Sequence, residues 1–249
     1  MRRTRRRRKL KYLAPLLVLV AVAAVGFYFL DWAEQLEAAP AAGAAPARAV
    51  AATQSERTAA LPALSLPADD AAHGSGMEWW YYSGILDAQP GGGRYAFHVA
   101  VFVANALVKH TVMHVALTDL QTGQRYTQQG RTGGVPAKLS KDGFDFQQEG
   151  WRVSGAGANH SVKAKFDGVE LALQLKDEQP VVAHRAAGSQ TPGLLDFGAS
   201  GISYYYSRPR MAAQGELRIG NKGAQQVGGP VWFDHQWGEF DVTQLGWNW

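Results

Sequence analysis

Beyond Pro67 the chain is written in short alternations of apolar and polar residues, broken by Gly, Asn and Asp. The clearest is HGSGMEWWYYSGIL, His73 to Leu86. A period of two sends Trp79 and Tyr81 to one face of a strand and Trp80 and Tyr82 to the other. A strand aromatic on both faces needs apolar company on both, which the wall of a barrel or sandwich supplies. The run RYAFHVAVFVANALVKHTVMHVALTDL is interrupted by Asn105, Lys109 and its histidines, and divides into strands near Tyr95–Val103 and Val108–Thr118. SVKAKF and VELALQL flank Asp167-Gly168, a two-residue hairpin signal, and GELRI-GNKG-AQQV reads as a second hairpin. With ISYYYSRPR and PVWFDHQW the strand candidates number about ten, and helical periodicity is almost absent. The pattern predicts an all-β domain, an antiparallel barrel or sandwich.

A different pattern precedes it. Tyr12 to Leu30 is an uncharged, overwhelmingly apolar run of 19 residues, enough to cross a bilayer as one helix. Residues 1–11 hold eight of the 25 Lys and Arg and no acid. The positive-inside rule keeps this head cytoplasmic and exports the chain beyond Asp31. The run exceeds an ordinary signal core, and DWAEQL stands where small residues would mark cleavage, which favours an uncleaved single-pass anchor. A cleaved signal peptide, leaving the domain free in the periplasm, is the alternative. Residues 31–67 are rich in Ala and Pro with no apolar period and read as a disordered, semi-extended linker. Residues 68–249 form the folded part.

Charge and composition narrow the function. Without the head, 17 basic residues (25 − 8) face 21 acidic ones, so no basic patch for nucleic acid is expected. The chain has no cysteine, which excludes thiol catalysis, cysteine-zinc sites and iron–sulfur clusters. No G-x-S-x-G elbow is present, and neither GGGR nor GNKG opens a helix that could hold phosphate. His110 and His114 lie on a strand-like segment, about 13 to 14 Å apart and too far for one ion. No metal and no cofactor are expected.

The densest chemistry is VWFDHQWGEF, Val231 to Phe240. Extended, it puts Phe233, His235 and Trp237 on one face and Trp232, Asp234 and Gln236 on the other. An imidazole bracketed by aromatic faces is desolvated, which favours its neutral form.

HGSGMEWWYYSGIL, MHVALTDL, ISYYYSRPRMAAQGELRI, GGPVWFDHQWGEF and GWNW, in that order, resemble the signature blocks of the CrtC/AttH family, over about Asp69 to Trp249. The resemblance implies two tandem lipocalin-like β-barrels, of which this chain carries the first and the opening strand of the second. In the carotenoid 1,2-hydratase branch it implies addition of water across a terminal C=C without a redox cofactor. A further tyrosine and acid of that branch would fall beyond Trp249. On the matching positions it implies His235 as proton handler, Trp237 as cation stabiliser, and Asp234 as a group orienting a neighbour or pairing with Arg208 or Arg210. Glu78 is then a pocket acid or an ion-pair partner of an arginine in YSRPR, the second being favoured. Together with Trp79, Trp80, Tyr81, Tyr82, Tyr204, Tyr205, Tyr206 and Phe233 it would wall a calyx for an elongated hydrophobic or lipid-like molecule. The AttH-type branch implies instead a non-catalytic carrier accompanying a transport system.

Overall fold

A computed structural model describes residues 61–105, 108–135, 142–186 and 190–245. The basic head, the apolar run Tyr12–Leu30, most of the linker and the final GWNW lie outside the described residues. Among the described residues no helix is long and apolar enough to cross a membrane.

The domain is one antiparallel sheet of 12 strands. They are β1 (Met77–Gln89), β2 (Arg94–Asn105), β3 (Lys109–Asp119), β4 (Arg125–Gly133), β5 (Phe144–Gln148), β6 (Trp151–Ala156), β7 (Asn159–Phe166), β8 (Val169–Asp177), β9 (Val182–Ala183), β10 (Leu194–Asp196), β11 (Gly201–Ile219) and β12 (Gln225–Phe240). The order is β4-β3-β2-β1-β12-β11-β8-β7-β6-β5, with the short β9 and β10 alongside β11. The two terminal strands meet at a seam where Gln128 and Gly130 of β4 face Gln148 and Trp151, so the sheet is a nearly closed barrel.

Alternation builds its interior. Tyr95, Phe97, Val99, Val101 and Val103 of β2 and Val169, Leu171, Leu173 and Leu175 of β8 all belong to one buried core. The β7–β8 turn has Asp167 at φ 45° and Gly168 at φ 76°, the left-handed pair that a two-residue hairpin requires. The strands ISYYYSRPR and GELRI, separate in the sequence reading, are one 19-residue strand, β11. Between Arg208 and Met211 its register against β12 shifts. Arg208 pairs with Phe233 and Met211 with Val231, so two residues on β11 oppose Trp232 alone. Pro209, which has no N–H to give the ladder, sits in this bulge. The extra residue reverses the alternation: Tyr206 and Arg208 face inward before it, Met211, Ala213 and Leu217 after it.

Segment 61–76 packs on the barrel ahead of β1. Leu64, Leu66 and Ala72 lie against the core, and Tyr204 donates to the Pro62 carbonyl at 2.8 Å. Residues 61–67, read from composition as linker, are thus part of the folded body. A single 3-10 turn, Ala68–Asp70, ends in a fully buried aspartate.

Candidate functional site

Three strands in ladder carry the site. On β12, His235 stands between Trp80 of β1 and Tyr206 of β11, and Trp237 stands between Glu78 and Tyr204. These side chains, with Tyr82 and Phe233, share the inner face. Trp79, Tyr81, Tyr205 and Asp234 occupy the opposite face, as alternation demands, and are not brought to His235. There Tyr81 stacks on His98 and Tyr205 on His184.

His235 is fully buried and stacked on Trp80, ring centroids 4.5 Å apart, with Trp237 at 4.6 Å. Its Nε2 is 2.9 Å from Glu78 Oε1, itself only 1% exposed. The same oxygen lies 2.9 Å from Nδ1 of His73, and the His73 backbone N–H donates to Glu78 Oε2 at 3.0 Å. The partly exposed His73 ring lies flat on Trp237, centroids 3.9 Å apart and 1° from parallel. Trp237 is therefore sandwiched between His73 and Tyr204, whose ring stacks on it at 5.3 Å.

Glu78 thus pairs with two imidazoles and not with an arginine of YSRPR. Burial works to raise its pKa, but hydrogen bonds and charge from His235 and His73 outweigh it and leave the carboxyl below its usual range. Burial pushes His235 below the ordinary histidine range, against the pull of Glu78. An ionised Glu78 beside a neutral imidazole is the resting state at neutral pH.

Behind His235 runs a polar chain. Its Nδ1 lies 3.3 Å from Tyr206 Oη, and Tyr206 donates a short bond to Asp70. Asp70 also accepts from Arg208 Nη2 at 2.9 and 3.2 Å and from the Gly157 N–H at 2.7 Å. Arg208 donates to Asp177 through its other terminal nitrogen, Nη1. Burial, then the Asp70 charge, raise the Tyr206 phenol well above its usual value. Asp234 therefore pairs with neither arginine: it accepts from Tyr205 at 2.9 Å and from Ser207 on the outer face, while Arg210, within the bulge, meets Glu178 at 2.8 Å.

The interior below these groups is filled by the protein's own rings. Trp80, Tyr82, Phe146, Phe233 and Tyr206 are fully buried. Trp80 packs on Phe146 at 4.5 Å and Tyr82 on Phe233 at 4.7 Å. The expected open calyx beside the indoles is thus a packed aromatic stack, because the inward positions of β1 and β12 around His235 carry large rings. Trp80 Nε1 is buried in it without an acceptor among the described residues.

Sequence reasoning missed His73, Asp70, Asp177 and His160. Only the DDAAH run beside the aromatic strand hinted at the first two. His160 accepts a bond at Nδ1 from Tyr82 Oη, 2.7 Å away, and its Nε2 faces the Gly157 carbonyl at 3.2 Å.

The nearly closed antiparallel barrel, which carries an imidazole–carboxylate pair on its inner wall, is lipocalin-like in fold. Within that class the chain belongs to the AttH-like family, whose model matches residues 57–249. Two solved structures share the fold. An AttH protein of Nitrosomonas europaea superposes with a TM-score of 0.63 at 23% identity, over 74% of this chain and 58% of that one. Kievitone hydratase of Nectria haematococca superposes with a TM-score of 0.57 at 16% identity, over 73% of this chain and 53% of its own. The chain spans little more than half the length of either, and at these identities the likeness establishes the fold. No curated protein matches the chain.

Proposed function

We propose that the domain takes up an elongated apolar molecule and adds water across a terminal C=C of it, as a carotenoid 1,2-hydratase does, while Tyr12–Leu30 holds it on the exported side of a membrane. The observation that carries this reading is His235, buried against the faces of Trp80 and Trp237 and hydrogen-bonded to Glu78. One structural neighbour bears the name of a hydratase. In the reaction the alkene π pair takes a proton from the His235 imidazolium, forming a C–H bond and a tertiary carbocation. Burial disfavours that imidazolium and so makes it the stronger acid. The indole faces stabilise the cation. Water then forms the C–O bond, and its surplus proton returns to His235 beside Glu78. No redox cofactor takes part. The ligand reaches His235 by displacing segment 61–76, which carries His73 over Trp237.

A second reading, a non-catalytic carrier accompanying a transport system, is favoured by the engagement of both His235 ring nitrogens, with Glu78 and Tyr206. Incubation of the protein with an acyclic carotenoid in ¹⁸O-labelled water separates the two. The hydratase gives a hydroxylated product carrying ¹⁸O, abolished in His235→Ala. Absence of product from the unaltered chain, with ligand binding retained in His235→Ala, refutes the hydratase and supports the carrier.

A further inference from the structure

Glu78 gathers two imidazole nitrogens on a single oxygen. Tyr206 has one proton, and it goes to Asp70, which is held by Arg208 and Gly157. His235 Nδ1 lies 3.3 Å from the phenol oxygen, and its Nε2 lies 2.9 Å from Glu78 Oε1. On the other side, His73 Nε2 faces Asp69 Oδ1 at 3.5 Å, and its Nδ1 lies 2.9 Å from the same Oε1. The second oxygen of Glu78 is tied to the His73 backbone N–H. Two imidazole nitrogens and one carboxylate oxygen, which become ligand atoms once the protons between them are released, thus converge within 4.8 Å of one another. Among the described residues no lysine or arginine pairs with Glu78; its charge partners are these two rings.

We propose that His73, Glu78 and His235 form a binding site for a divalent transition-metal cation of the zinc class. Two imidazoles and a carboxylate are a donor set that zinc takes with a further position left for water. Each ring is oriented from behind, His235 by Tyr206 and Asp70, His73 by Asp69 and the Trp237 face, as metal-binding histidines usually are. His73 provides the way in, its side chain 23% exposed against 0% for His235 and 1% for Glu78. Local spacing in the sequence pairs only His110 with His114, and so gives no reason to expect a metal; His73 comes from a loop and Glu78 and His235 from neighbouring strands, a grouping no local spacing displays. The inference goes beyond the hydratase reading: a cation on His235 Nε2 excludes a transferable proton there, so the loaded form is the one in which water addition is held off.

The test uses the full chain after chelation, titrated with Co²⁺ followed by its visible absorption and with Zn²⁺ by calorimetry. One ion per chain, with d–d bands of a low-coordinate nitrogen–oxygen site, is expected. His73→Phe keeps a ring on Trp237 but removes the nitrogen, and weakens binding by about a hundredfold or more; a His110→Ala/His114→Ala double variant binds as the unaltered protein does. The circular dichroism spectrum of His73→Phe, matching the parent, assigns the loss to the missing ligand. Binding weaker than about 100 µM for both ions, or equal binding by His73→Phe, overturns the site. Either result leaves the labelled-water experiment, run on chelated protein, to stand or fall by itself.

Discussion

His160 gives the most direct test of the packed interior. It is 3% exposed, and both ring nitrogens are satisfied only when the ring is neutral: Tyr82 donates to Nδ1 and Nε2–H donates to Gly157. Burial, reinforced by the Arg208 charge, lowers its pKa from 6.5 to about 3. The unfolded chain therefore binds a proton between these values that the folded chain refuses, so stability is full above pH 6.5 and falls as the pH drops toward 3. At pH 7.5 the ring contributes almost nothing to this difference. At pH 5.0 the unfolded ring is nearly all protonated and the folded ring nearly all neutral, a loss of about 2 kcal/mol, with about 5 kcal/mol as the limit at low pH. Urea unfolding at pH 7.5, 6.0 and 5.0 measures it. His160→Gln, whose amide offers both a donor and an acceptor, lowers stability at pH 7.5 but removes this increment. The other histidines are common to both proteins and cancel in the comparison. If the variant loses as much stability between pH 7.5 and 5.0 as its parent, the reasoning about His160 is refuted.

Other outcomes rest on the same contacts. Asp70→Ala leaves Arg208 buried beside Tyr206 with only Asp177 to answer it, and lowers unfolding free energy by about 3–5 kcal/mol in urea titrations. Phe146→Ala opens a void beneath Trp80 and costs about 3–5 kcal/mol, with a blue-to-red change in indole fluorescence as water enters. Gly168→Ala, at φ 76° with open space around it, costs about 1–2 kcal/mol through backbone conformation alone, measured by thermal unfolding. His73→Ala uncovers one face of Trp237 and increases quenching of tryptophan fluorescence by acrylamide, while stability changes by about 1 kcal/mol or less.

Much of the barrel is legible in the residues, because alternation is a local property. Trp79 and Trp80 part company as the period requires, Asp167-Gly168 makes the turn its composition announces, and Phe233, His235 and Trp237 share a face. The features that escaped are of two kinds. Strand β4, RYTQQGRTG, is half-buried or exposed along its length and so carries no apolar alternation to read. The two halves of β11 read as separate strands because the bulge between Arg208 and Met211 reverses the phase of the alternation from one half to the next. Partners were harder still. Asp234 and Arg208 lie on paired strands and are suited in charge, yet the barrel wall stands between them; Glu78 finds His235 at 157 residues' separation through strand pairing, and His73 through a loop. Charge type tells which groups need partners, while register decides which ones they get.

The bulge at Pro209 has a consequence for any chain built on this plan. It acts as a phase marker: one strand is spelled in two opposite phases, even positions inward before it and odd positions after. Deleting a single residue there would present Met211, Ala213 and Leu217 to water and fold their polar neighbours inside. A chain lacking the added residue must therefore spell the second half of the strand with its oily and hydrophilic letters exchanged.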